Sequence, residues 1–284
     1  MASIRTLVRD INGLFTGRTV PEFDQEQVDS LGERMAAHVK RRVEEVIDEQ
    51  RPSTLRMSNL GTKCKRRLWY RVNQPKAAEE LKASDRIKFL FGDLIEELAL
   101  FLAEISGHEV RGRQDELAIA GIRGRRDAVI DGTLVDVKSA ASKSFEKFEN
   151  HLTRDKDSFG YIDQLGAYHA GSTDVDPNHA AFFVIDKQLG KITLDIHPKT
   201  DVNYEEEIEN TKRVLSATNP PDRFYSDVPD GKSGNRKLCV ECSYCEFKNH
   251  CWPNLKTYYY SGGPRYLTEV KREPKVESNI DSED

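Results

Sequence analysis

The sequence predicts a mixed α/β protein in which a central mixed sheet is flanked by helices, and three observations carry that expectation. Residues 84 to 106 form a long amphipathic run that Gly107 closes. From 109 to 138 the apolar pattern changes to period two and reads as three strands ending in a hairpin. A second strand pair, "AAFFVID" and "KITLDIH" around a Lys-Gln-Leu-Gly turn, lies between helical stretches at 159–171 and 203–217.

Each element has a local reason. A helix over 30–50 follows from a Ser30/Glu33 capping box and the spacing of Met35, Val39, Val43, Val46 and Ile47. A Pro/Ser break at 51–54 ends it, and the polar stretch 75–84 reads as a loop or short helix. Ser84 or Asp85 caps the long helix, whose apolar positions are Ile87, Leu90, Leu94, Ile95, Leu98 and Leu102. Gly171 stops the helix that starts near 159. The expected layout is a helical region over 1–84, a core over 85–218, a cysteine segment over 219–261 and a disordered acidic tail over 262–284.

Composition narrows the function classes. Hydrophobic residues make up 37% and charged residues 32% of the 284 positions, which fits a packed core under a highly charged surface. The net charge of −5 leaves no global basic footprint, so any nucleic-acid contact must come from local patches. No apolar run approaches the ~20 residues of a membrane span. The opening "MASIRTLVRDINGLFTGR" reads as an ordinary first helix, not a secretory or transit segment. Of five cysteines, four fall between Cys239 and Cys251, a distribution that favours metal binding in a reducing, cytoplasmic setting over disulfides.

The hairpin "DAVIDGTLVDVKSA", residues 127–140, carries the chemistry. A two-residue Asp131-Gly132 turn pairs Ile130 with Thr133, Val129 with Leu134, Ala128 with Val135, and Asp127 with Asp136. Alternation then puts Asp127, Val129, Leu134, Asp136 and Lys138 on one face, while Ala128, Ile130, Thr133, Val135 and Val137 suit a core. Two opposed carboxylates repel unless a cation lies between them, and oxygen ligands of this kind suit Mg2+ or Mn2+. Lys138 beside such a site can balance negative charge on a phosphate. The alternative is a solvated hairpin whose aspartates pair with Arg125 or Arg126. Two further segments add candidates: "FGDLIEELAL" supplies Glu96, with Glu97 competing for the same role. "QLGAY" puts Gln164 and Tyr168 on one helical face, where they can hold a nucleotide by hydrogen bonding and stacking.

In order, Gly92-x3-Glu96, Gly124-x2-Asp127, Asp136-Val137-Lys138 and Gln164-x3-Tyr168 resemble the RecB-like branch of the PD-(D/E)xK nuclease superfamily over about residues 85–200. The first motif position is often His in that branch and is Glu96 here. The resemblance implies a restriction-endonuclease-like core that hydrolyses DNA phosphodiester bonds. It implies that Glu96, Asp127, Asp136 and the Val137 carbonyl hold the metal and that Lys138 orients the attacking water. Exonucleolytic action on single-stranded ends is likewise implied by the family and by no residue pattern.

The cysteines admit two readings from spacing. Cys239, Cys242, Cys245 and Cys251 can hold Zn2+, with Cys64 an ordinary thiol; or Cys64 joins Cys242-x2-Cys245-x5-Cys251 around an iron–sulfur cluster, with Cys239 spare. An early cysteine and a late C-x2-C-x5-C around such a core are similar to the iron–sulfur nuclease group of the AddB nuclease domain and the CRISPR-associated iron–sulfur exonucleases, which implies a structural [4Fe–4S] cluster. Basic stretches "KCKRR" (63–67) with Trp69 and Tyr70, "RGR" (111–113) and "RGRR" (123–126) are candidate strand contacts, with core packing and solvation as the alternatives. No phosphate loop G-x-x-x-x-G-K-[ST] occurs, so any helicase or recombination partner would be a separate chain. The resemblance fits a phage or CRISPR-type accessory enzyme in bacterial or phage-infected cytosol. A structure-specific endonuclease, an RNA-directed nuclease and a non-catalytic nucleic-acid-binding protein are the rival functions.

Overall fold

The structure is a computed structural model and describes residues 2–22, 24–44 and 54–277. In chain order it contains α1 (Leu7–Thr16), α2 (Gln25–Glu44), α3 (Met57–Leu60), α4 (Lys65–Asn73) and α5 (Ala83–Ile105). Five strands follow: β1 (Val110–Arg111), β2 (Glu116–Ile119), β3 (Ile122–Arg125), β4 (Ala128–Ile130) and β5 (Thr133–Ala140). Then come α6 (Ser142–Glu149), α7 (Tyr161–Ala170), β6 (His179–Asp186), β7 (Ile192–Pro198) and α8 (Tyr204–Leu215). The C-terminal part adds β8 (Val228–Pro229), β9 (Arg236–Lys237), α9 (Val240–Ser243), α10 (Lys248–Cys251), β10 (Lys256–Tyr260) and β11 (Gly263–Glu269).

Within the described residues the chain forms two compact units. One comprises 2–44, 56–61 and 81–209; the other comprises 54–55, 62–80 and 210–277. These units cut across the layout expected from the sequence, because the segment after Gly61 packs with the C-terminal part and not with the N-terminal helices.

The first unit is built on a mixed sheet in the order β1-β4-β5-β6-β7. Only β5 and β6 run parallel, and the crossover between them carries α6 and α7, as a parallel pair requires. The face bearing Val135, Val137, Ala181 and Phe183 packs on Leu7 and Ile11 of α1 and on Ala99, Leu100 and Ala103 of α5. The opposite face is also covered: Val129 and Leu134, assigned above to the polar face, are buried, and Phe182 meets Phe148 of α6 edge-on at 5.3 Å. A strand run covered on both faces is the reason burial along β4 and β5 does not alternate.

The hairpin forms in the expected register, Ile130 to Thr133, Val129 to Leu134 and Ala128 to Val135. Asp131 (φ 48°) and Gly132 (φ 80°) both take left-handed backbone, the conformation of a type I′ turn that matches strand twist. The Asp131 carboxylate is fixed by the Glu109 backbone N–H at 3.1 Å and by His108 Nδ1 at 2.6 Å. The ladder ends at Ala128–Val135, so Asp127 and Asp136 do not form a ladder pair.

Other expectations are corrected. The helix expected from residue 30 starts at Gln25. Asp24 Oδ1 accepts the Gln27 N–H at 2.9 Å and Gln27 Oε1 accepts the Asp24 N–H at 3.0 Å, a reciprocal cap at Asp24, ahead of Ser30. Ser30 lies inside α2 and bonds Arg34; the expected end near residue 50 lies outside the described residues. Helix α5 is capped by Lys82, placing Ser84 and Asp85 in its first turn. Its buried stripe is Glu97, Ala99, Leu100, Ala103 and Ile105, while the expected core positions Ile87 and Leu98 are exposed. Small alanines let the helix approach the sheet closely, and that sets the stripe more than the larger leucines do. The segment 109–138 holds five strands and not three, because β2 and β3 form a separate two-stranded sheet. The stretch expected as a disordered tail contributes β11, the centre of the second unit's sheet β10-β11-β9-β8; residues 278–284 lie outside the described residues.

Candidate active site

The sequence-predicted residues of the core come from four places in the first unit. Glu96 sits on α5, Asp127 just before β4, Asp136 to Lys138 along β5, and Gln164 and Tyr168 on α7. The arginines next to Asp127 in the sequence are engaged elsewhere. Arg126 bonds Asp174 at 2.6 Å and Asp115 at 2.7 Å, and Arg125 bonds Glu116 at 2.9 Å. That removes the reading of Asp127 and Asp136 as partners of Arg125 or Arg126.

What remains is a group of acids with too few cations. Lys138 Nζ lies 2.6 Å from Asp136 Oδ2, although that oxygen accepts no hydrogen bond of normal geometry. Asp127 Oδ2 accepts the Val137 backbone N–H at 2.7 Å, which ties the end of β4 to β5 and carries the aspartate past the last ladder pair. Burial pushes the Asp127 carboxyl well above the usual range, and the neighbouring Asp136 and Glu96 charges push it further. Burial likewise raises Glu96 to about 7, against a hydrogen bond from Gln114 and with added repulsion from Glu97 and Asp136. Lys138 is raised despite the opposing effect of burial, because Asp136 and Asp127 favour its charge.

Glu96 and Glu97 separate cleanly. Glu97 accepts Arg34 Nε at 2.8 Å, His38 Nε2 at 3.1 Å and Arg113 Nη1 at 3.3 Å, which holds it below the usual range against the effect of burial. It is therefore satisfied within a packing network. Among the described residues Glu96 has one neutral hydrogen-bond donor, Gln114 Nε2 at 2.6 Å, and it faces the aspartates.

Helix α7 closes the site. Gly160 (φ 78°) allows the chain to turn into it, and Asp157 accepts the N–H groups of Gly160 and Ile162 at 2.8 and 2.9 Å. Tyr168 is buried, and a Cβ on Gly124 would come within 2.6 Å of its ring, so the Gly124-x2-Asp127 stretch packs directly under it. The buried ring cannot serve as the base-stacking platform suggested above. Its hydroxyl is raised to about 12 by burial and by Asp136 and Asp127, with Gln164 hydrogen-bonded to it. Tyr161 was not foreseen: its ring lies 5.1 Å from Lys138 Nζ, a cation–π contact. The spacing Tyr161, Gln164, Tyr168 on one helical stripe is the signal that could have found it. Gln114, at left-handed φ 55°, left no such signal.

The second unit holds all five cysteines. Cys64 ends the turn into α4, Cys239 is the N-cap residue of α9 and Cys242 lies within that helix, and Cys245 and Cys251 pack on the cluster of Leu68, Trp69, Tyr70 and Phe247. Burial raises Cys242, and the thiols of Cys239, Cys245 and Cys64 raise it further; burial raises Cys245 to about 11. Cys64 thus acts on the C-terminal thiols, and Cys239 is hydrogen-bonded to Cys242. Among the described residues no three cysteine sulfurs lie within 4.8 Å of one another. The basic stretch beside Cys64 is structural: Arg67 bonds Glu246, Arg66 bonds the Pro221 carbonyl, and buried Trp69 donates to the Ala217 carbonyl at 2.8 Å.

No helix among the described residues is long and apolar enough to cross a membrane. No family model matches the chain, and no curated protein matches it. Among solved structures the chain is similar to the one titled "Crystal structure of SSO0001", at 17% identity, covering 76% of this chain and 95% of that one with a TM-score of 0.45. A likeness of that strength carries no argument about function.

Proposed function

We propose that the chain is a metal-dependent deoxyribonuclease of the RecB-like PD-(D/E)xK type, an exonuclease acting at single-stranded DNA ends. The observation that carries this reading is that the charge of buried Asp136 acts on both Glu96 and Asp127, with Lys138 Nζ 2.6 Å from Asp136 and with Arg125 and Arg126 paired elsewhere. A buried excess of carboxylates costs stability unless a cation neutralises it.

The donor set fits Mg2+ or Mn2+: all oxygens, from Glu96, Asp127, Asp136 and the Val137 carbonyl. Such an ion, when bound, supplies charge neutralisation and a water of lowered pKa at the scissile phosphate. Lys138 holds its proton through the pH range of activity, hydrogen-bonds the attacking water and offsets charge developing on the phosphate. Tyr161 fixes the Lys138 ammonium by its ring, and Gln164, anchored by Tyr168, positions the strand. Four of the five cysteines suit a structural [4Fe–4S] cluster in the second unit, with Cys64, Cys242, Cys245 and Cys251 as ligands and Cys239 spare. Zn2+ is the alternative occupant.

The test uses end-labelled linear single strands and circular single strands with Mn2+, comparing wild type with Lys138→Ala. Degradation of the linear strand alone, lost in the variant by roughly 100-fold or more, supports the proposal. Cutting of the circle makes the protein an endonuclease instead. Absence of metal-dependent cleavage of either substrate removes the enzyme reading for DNA.

A further inference from the structure

A second set of metal-type donors lies apart from the carboxylate group. His151, Asp195 and His197 each direct one ligand atom into a space where all three lie within 4.8 Å of one another. Asp195 Oδ1 is 2.6 Å from His151 Nδ1, and Asp195 Oδ2 is 2.9 Å from His197 Nε2. The two imidazoles lie nearly parallel, with centroids 4.5 Å apart. Asp195 and His197 are buried; His151, which follows α6, is exposed.

The backbone is arranged to bring these groups together. Asp195 and His197 are two apart on β7, so their side chains leave the same face of the strand. His151 reaches them only because its backbone takes left-handed φ (60°), a conformation uncommon outside glycine. The next residue, Leu152, donates its N–H to Asp195 Oδ2 at 2.9 Å, leaving Oδ1 to point at His151. A backbone donor holding the carboxylate's second oxygen is the outer support that metal-ligating carboxylates have.

The surroundings leave room for more than the three donors. His151 and His197 line a cavity of about 600 Å3, together with Arg154, His169, Lys199 and Thr200. Two imidazoles and one carboxylate select a divalent transition ion over Mg2+ or Ca2+. Three protein ligands at the edge of a cavity leave coordination positions open, as in sites that bind a further molecule.

The group is separate from the carboxylate site. Asp136, Phe182 and Asp195 form one row across β5, β6 and β7, with buried Phe182 between the acids. Two strand spacings separate their backbones by about 10 Å, well beyond the ~4 Å of a two-metal pair. We propose that His151, Asp195 and His197 form a second metal site for a divalent transition ion of the zinc type, with open coordination positions facing the cavity. Binding through the ring nitrogens that face Asp195 requires each neutral imidazole to carry its single proton on the other nitrogen.

The experiment is equilibrium dialysis of the full chain, as purified, against Co2+ in excess Mg2+, with visible spectra and thermal midpoints. Wild type is compared with His151→Gly, His197→Gln and Asp127→Asn. The expected result is one more cobalt per chain in wild type and Asp127→Asn than in either histidine variant. That extra cobalt gives d–d absorption without thiolate charge transfer and is displaced by Zn2+. Because glycine accepts φ 60°, metal-free His151→Gly should melt no lower than wild type, and Co2+ should raise the midpoint of wild type alone of these two. Equal stoichiometry in wild type and both histidine variants would overturn the proposal. So would cobalt seen only through thiolate bands, or lost in Asp127→Asn. Retention in Asp127→Asn, whatever becomes of cleavage, keeps this test independent of the nuclease reading.

Discussion

Replacing Glu96 by Gln should make the metal-free protein more stable at pH 8 while removing its cleavage. Glu96 is raised from 4.5 to about 7, mainly by burial and then by neighbouring acids, with Gln114 opposing. A carboxyl whose pKa is higher in the folded state holds its proton more tightly there. Its favourable contribution is complete below about pH 4.5 and is lost as pH rises through about 7. A rise of this size corresponds to about 3 kcal/mol lost by pH 8. Glutamine keeps the carbonyl oxygen that accepts from Gln114 and never ionises. Urea titrations in EDTA, from pH 4.5 to 8.5, should therefore show Glu96→Gln gaining on wild type as pH rises, by roughly 2–3 kcal/mol or about 5 °C in Tm at pH 8. Added Mn2+ should stabilise wild type and reduce the difference. If Glu96→Gln were no more stable than wild type at pH 8, the carboxylate group would not be the frustrated cluster on which the proposed function rests.

Three further outcomes follow from particular contacts. Inserting one residue between Asp131 and Gly132 breaks the type I′ turn and shifts the register of β4 against β5, so cleavage should vanish while circular dichroism keeps most of its signal. Gly124→Val places a side chain within 2.6 Å of the Tyr168 ring and 2.8 Å of Met57, and should cost about 1–3 kcal/mol in denaturant titration together with much of the activity. Cys242→Ser should strip iron and labile sulfide from an anaerobic brown preparation and lower the melting of the second unit; a colourless wild type with one zinc, unaltered by Cys64→Ala, would reject the cluster assignment.

Local chemistry made much of the core legible. The Asp131-Gly132 turn fixes its own register because both residues accept positive φ, and Gly107, Gly171 and the apolar runs of β6 and β7 mark their elements by the same short-range rules. The candidate residues Glu96, Asp127, Asp136 and Lys138 stood out as charges set into apolar segments. The burial stripe of α5 did not, because alanine packs closely while carrying little hydrophobic signal. Neither did the start of α2, where Asp24 and Gln27 cap reciprocally and outcompete Ser30.

The sequence by itself determined the alternation, the turn and the supply of acids and thiols, since each depends on neighbours a few residues away. Only the tertiary structure decided which charges lack partners. Arg125 and Arg126 could have neutralised the aspartates but are bound to Glu116, Asp115 and Asp174; Glu97 is paired by Arg34 and His38 on another helix while Glu96 is not. His151 meets Asp195 across 44 residues for the same reason. Pairing is set by distance and burial, and long-range distances come from how helices and strands stack, which no local pattern contains.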